Sequence, residues 1–166
     1  MEKIVVYQTS TGFTKQYAQW IAEEMKCEAV SIKDISAQTI KAYQQVIFGG
    51  WVMGNMIFGL DKIIKMEPQN LTVFAVGATP ASIDIEATIK SQNHLENTPL
   101  YYFEGGFHFN KLSLPVKIML KMLKKSAEKK ENKTPQEEYM ARILGTSFDH
   151  TNKKFIQPLL DACREV

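Results

Sequence analysis

The apolar positions of this chain follow two alternating rhythms. Short runs rich in β-branched and aromatic residues, at Lys3 to Tyr7 (KIVVY), Glu28 to Ile32, Val46 to Gly50 (VIFGG), Leu71 to Val76 (LTVFAV) and Leu100 to Phe103, read as buried strands. Between them apolar residues recur at helical spacing: positions 13, 17, 20, 21 and 25 share one face of a helix over Phe13 to Met25. Shorter helices are predicted at Ala37 to Tyr43, at Leu60 to Met66, which stops ahead of Pro68, and at Ser82 to Lys90. Strands alternating with helices imply a parallel, doubly wound α/β sheet, because parallel neighbours need a crossover of about a dozen residues.

After the fifth strand the rhythm breaks. Gly105-Gly106 and Phe107-His108-Phe109 open a helical insertion over about residues 107–150. Within it, Leu114 to Lys130 reads as a helix with Pro115 at its start, where a missing N–H does no harm. A lysine-rich hinge, Glu128 to Lys133, leads to a second helix at Pro135 to Leu144, with Thr134 as N-cap and Glu137 as its reciprocal partner. The last helix is predicted at Asn152 to Cys163. Projected at about 100° per residue, Val116, Met119, Leu120, Leu123 and Ala127 form one stripe, and Ile118 and Met122 widen the apolar arc to about 200°. Packing on a sheet requires about half of that.

Composition changes this picture at three points. A length of 166 residues is that of a single domain, residues 1–166. The net charge of +2 is too small for a nucleic-acid binder, yet it is unevenly spread. Residues 111–133 hold eight lysines and two glutamates, a net of +6, leaving the remainder with 12 basic and 16 acidic residues, a net of −4. A basic helix with surplus apolar surface suits an anionic membrane face or a partner protein, so Lys111 to Lys133 is the expected place of peripheral contact. Cys27 and Cys163 lie far apart with no metal-ligand spacing, which implies structural thiols, a reducing compartment and no metal. With no signal-peptide pattern and no span-length apolar run, a cytoplasmic location, peripheral at most to the inner face of the membrane, is expected.

Ligands of open α/β sheets lie beyond the carboxyl ends of the strands. After the first strand stands Thr9-Ser10-Thr11-Gly12-Phe13-Thr14, a hydroxyl-rich loop at the start of a helix. Hydroxyls and free N–H groups backed by a helix dipole make an anion site that needs no lysine, and a phosphate monoester fits it. The phosphate-binding patterns of nucleoside triphosphate and dinucleotide sites are absent. A phosphoacceptor receiver would need acidic residues where this chain has Gln8 and Gly49-Gly50, and a cysteine phosphatase would need a cysteine in the first loop.

That loop resembles the T/S-x-T-G-x-T phosphate loop of flavodoxins at every defined position. The resemblance implies a flavodoxin-like three-layer sandwich with strand order 2-1-3-4-5 and bound FMN. Thr9, Ser10, Thr11, Gly12, Phe13 and Thr14 would hold the phosphate. Gly50, Trp51, Val52, Met53 and Gly54 after the third strand, and Ala78, Thr79 and Pro80 after the fourth, would flank the ring, with Trp51 as stacking partner and Gly49, Gly50 or Gly54 turning a peptide toward it. Gly105 and Gly106 would border the ring, and His108 and His94 are the candidate proton carriers. Phe103-Glu104-Gly105-Gly106, His108 to Leu112 and the Met- and Lys-rich Val116 to Lys125 also resemble the family that includes menaquinone-dependent protoporphyrinogen dehydrogenases. Three functions follow from these resemblances: an FMN-dependent oxidoreductase, a quinone-linked enzyme of the protoporphyrinogen dehydrogenase kind, or a non-catalytic flavodoxin. Each implies a redox partner protein or a quinone.

Overall fold

The computed structural model describes residues 2–164. Five strands form one parallel sheet: β1 (Lys3–Gln8), β2 (Glu28–Ser31), β3 (Gln45–Met53), β5 (Leu71–Gly77) and β6 (Leu100–Glu104), in the order β2-β1-β3-β5-β6. With the short β4 (Met56–Ile57) set aside, this is the expected order 2-1-3-4-5. Strand alternation supplies two cores. Ile4, Val6, Val46, Phe48 and Val73 face Ile40 of α2 (Ala37–Ala42), Ile63 of α3 (Leu60–Ile64) and Ile89 of α4 (Glu86–Gln92). Val5, Ile47, Phe74 and Phe103 face Tyr17 and Ile21 of α1 (Phe13–Met25) and Leu159 and Cys163 of α7 (Gln157–Arg164).

The departures from expectation lie at the carboxyl edge of the sheet. The segment Trp51-Val52-Met53, expected as a loop, continues β3 and folds back as a hairpin on β4, with Met53 paired to Met56. Gly54 (φ 59°) and Asn55 (φ 64°) occupy the turn, the two positive values that a tight two-residue hairpin requires. Gly49 and Gly50 are therefore strand residues, not turn residues. A Cβ on Gly49 would lie 2.0 Å from Cζ of Phe74, and one on Gly50 would lie 2.5 Å from the Phe58 carbonyl oxygen. Their bareness serves close packing. The expected Ser82–Lys90 helix begins later, at Glu86, because residues 79–85 turn above the sheet edge.

The insertion is rooted in a two-stranded antiparallel ribbon of β7 (Gly106–Phe107) and β8 (Phe148–Asp149), which the sequence pattern did not indicate. Between them lie α5 (Leu114–Lys129) and α6 (Pro135–Ile143). The expected capping box is present: the Glu137 N–H donates to Thr134 Oγ1 at 3.2 Å, and the Thr134 N–H donates to Glu137 Oε2 at 2.9 Å. The expected final helix starts as a 3-10 turn at Lys153–Ile156 before α7. Both cysteines are free thiols, and burial raises the pKa of each.

Candidate functional site

The helix α1 begins without a side-chain cap. Its N-cap is Gly12 at φ 105°, a left-handed conformation that explains the glycine, and no acidic residue stands in the first turn. The Gly12 N–H donates to Thr9 Oγ1 at 3.1 Å, which curls the loop back on itself. Among the described residues no hydrogen bond engages the hydroxyls of Ser10, Thr11 or Thr14. The positive end of a 13-residue helix and a set of unspent donors thus converge on one wall of a cavity of about 960 Å³.

The opposite wall is the β3–β4 hairpin. Trp51 stacks on Phe58, with ring centroids 3.9 Å apart and planes within 12°. Asn93, only 7% exposed at the end of α4, pins the hairpin from beneath. Its Oδ1 accepts from the Ile57 N–H at 2.9 Å, and its Nδ2 donates to the carbonyls of Asn55 and Ile89 at 2.8 and 2.7 Å. A floor comes from the loop after β5. Tyr102 donates its hydroxyl to the Thr79 carbonyl at 2.7 Å, and burial raises its pKa, so it remains a protonated donor. The Ala81 N–H donates to Glu104 Oε1 at 2.5 Å, tying the same loop to the end of β6.

The insertion closes the top. His108 stacks on Phe13 at 4.5 Å, and Leu112, Leu120, Leu123, Ala127, Met140 and Leu144 supply an apolar roof. Gln136 Nε2 at the start of α6 donates to Asn55 Oδ1 at 2.8 Å, so roof and hairpin touch across the cavity rim. The cavity is therefore two-sided: hydroxyls and amides below, hydrocarbon above. Among the described residues its lining contains no lysine or arginine.

Of the residues singled out from sequence, Thr9, Ser10, Thr11, Phe13, Thr14, Trp51, Val52, Met53, Gly54, Ala78, Thr79 and Gly106 line this one cavity. Gly12, Gly50, Pro80 and Gly105 do not. Gly12 caps the helix, Gly50 lies within β3, and Gly105 lets its backbone approach β5, its N–H donating to the Gly77 carbonyl at 2.7 Å. His108 lines the cavity, whereas His94 is exposed after α4 and takes no part. Asn55, Asn93, Tyr102 and Gln136 were missed. For Asn55 a signal existed in Gly54-Asn55, a two-residue turn between apolar pairs, whereas for Asn93 none did. For Tyr102 and Gln136 no local pattern marks the role.

Comparison with known proteins agrees with this architecture. The Flavodoxin domain family matches residues 4–134. Among solved structures, the chain is similar to a flavodoxin from the domain Archaea at 19% identity, covering 60% of this chain and 78% of that one, with a TM-score of 0.42. It is also similar to oxidised Flavodoxin 2 from Bacillus cereus at 16% identity, covering 63% and 84%, with a TM-score of 0.47. A third similarity is to the two-electron reduced flavodoxin of Megasphaera elsdenii at 14% identity, covering 60% and 82%, with a TM-score of 0.42. No curated protein sequence matches the chain. With the family match extending from β1 through α5, and the sheet order and the hydroxyl loop in place, the chain belongs to the flavodoxin domain family.

Proposed function

We propose that the protein is an FMN-dependent oxidoreductase that acts on a small substrate within its roofed cavity. The observation that carries this reading is the uncapped start of α1, with its free hydroxyls, opening into a cavity that has an apolar ceiling. Thr9, Thr11 and Thr14 would hold the phosphate with their hydroxyls, and Ser10 and Phe13 with their N–H groups. Trp51, Val52, Met53 and Gly54 would flank the ring on one side, and Ala78 and Thr79 on another. When bound, FMN supplies one- and two-electron transfer. A lining without lysine or arginine leaves the phosphate charge uncompensated, which disfavours further negative charge nearby and favours a low reduction potential. The roof formed by α5 and α6 covers the cavity from above, whereas a carrier that docks to large partners gains from an open ring edge.

A second reading, a quinone-linked enzyme of the protoporphyrinogen dehydrogenase kind, is favoured by the breadth of that apolar roof. The purified protein should show flavin absorbance, and Thr11→Ala and Thr14→Ala should each weaken FMN binding roughly tenfold or more, the loss of a hydrogen bond to a charged group. Unchanged affinity in both variants overturns the phosphate assignment. Turnover of a small acceptor without any partner protein separates the oxidoreductase from a carrier, and oxidation of a porphyrinogen coupled to a quinone identifies the second reading.

A further inference from the structure

The helix α5 uses only one of its faces. Leu120 is its single buried residue, with Leu123 and Ala127 turned toward the cavity. On the outside, Leu114, Ile118 and Met122 are 70%, 51% and 66% exposed. They stand four residues apart and form a straight apolar ridge about 12 Å long. A second row with the same spacing, Lys117, Lys121, Lys125 and Lys129, runs beside it, about 60° around the helix.

The lysine row has no carboxylate partners among the described residues, although Lys117 Nζ donates to the Asn110 carbonyl at 3.1 Å and lies over the Phe109 ring. Among the described residues, no ion pair engages any of the four, and within residues 111–133 only Lys130 has a carboxylate partner, Glu137, at 2.6 Å. Beyond that contact of Lys117, folding explains neither row. A bare apolar ridge on a charged helix carries a standing cost in water, and its removal needs an occupant that takes hydrocarbon and positive charge side by side.

A second copy of the chain does not meet that need, because its ridge is bordered by the same lysines and brings no negative charge to either row. None of Leu114, Ile118 and Met122 lines the cavity, so the ridge stands outside it on the crest of the helix. A fluid sheet of anionic headgroups over acyl chains accepts a convex crest, with the ridge at the acyl boundary and the ammonium groups among phosphates. We infer that α5 is a docking helix for an anionic lipid surface, lying in the plane of the interface. Among the described residues no helix is long and apolar enough to cross a membrane, so the contact is peripheral.

Co-sedimentation with vesicles tests this in the full chain. The wild type should bind phosphatidylglycerol vesicles at low salt and not phosphatidylcholine vesicles. Lys121→Glu/Lys125→Glu should weaken the binding roughly tenfold or more. Ile118→Gln/Met122→Gln should abolish the fraction that survives added salt, and both pairs, being exposed, should leave the melting curve unchanged. An Ile118→Trp variant should add a blue-shifted emission component with phosphatidylglycerol vesicles. Absence of wild-type binding, equal binding by all variants, or an Ile118→Trp emission insensitive to vesicles overturns the inference. Self-association that Ile118→Gln/Met122→Gln abolishes also overturns it and assigns the ridge to a second copy.

Discussion

In β5 six of seven residues are buried, whereas in α5, more than twice as long, only Leu120 is. The sheet resolves its apolar residues internally, alternating them between two cores. The insertion spreads its apolar residues between a cavity roof and open solvent. Charge divides in the same way, with a body of −4 and a segment of +6. The difference teaches that fold and function draw on separate apolar surfaces here: one holds the chain together, the other covers the site and faces outward. A few polar contacts couple them. Gln136 reaches Asn55 at the cavity rim, and Tyr17 bonds both roots of the insertion.

The largest expected effect tests where the stability resides. Phe74 is fully buried in β5, stacked near Phe103 with centroids 5.4 Å apart. Phe74→Ala should lower the unfolding free energy by about 3–5 kcal/mol in urea titration. Leu123→Ala in α5, 49% exposed, should change it by at most about 0.5 kcal/mol. Equal losses at both positions would erase the distinction between body and insertion.

Next in size is the hairpin anchor. Asn93→Ala leaves the Ile57 N–H and the Asn55 carbonyl without their partner, at a cost of about 2–3 kcal/mol. Because Asn55 is also the point that Gln136 grips, loosening the hairpin should release the roof as well. Hydrogen exchange should therefore quicken in α6 as well as in the hairpin. Faster exchange in the hairpin alone would show that the Gln136 contact does not transmit between the two regions.

These contacts also mark where the sequence became opaque. The alternation of strands and helices, the hydroxyl loop and the Thr134–Glu137 capping box are periodic or local, so each is readable from neighbouring residues, whereas the strand order followed from the resemblance to flavodoxins. Trp51-Val52-Met53 misled because glycines before and after it suggested a loop, while the deciding fact, the bare Gly49 and Gly50 beneath Phe74 and Ile57, is a packing relation across strands. Asn93 and Gln136 lie 38 and 81 residues from the partner they share, Asn55. Neither belongs to a spacing rule, and only the assembled topology brings them to one rim.

Tyr17 gives the smallest effect and the sharpest view of the boundary. Its hydroxyl donates to the Glu104 carbonyl at 2.5 Å, just ahead of the insertion, and accepts from the Asn152 N–H at 3.1 Å, just after it. Tyr17→Phe should cost about 1 kcal/mol at neutral pH. Burial pushes the phenol up to about 12 from its ordinary 10.0, so the folded state holds the proton more tightly than the unfolded chain does. The stabilisation linked to that proton is complete below pH 10 and is lost as the pH rises through about 12. The stability gap between wild type and Tyr17→Phe, followed by denaturant titration, should therefore stay constant up to pH 10 and shrink above it. A gap that stays constant through that window would mean that the clamp at the insertion's roots does not depend on the phenol proton.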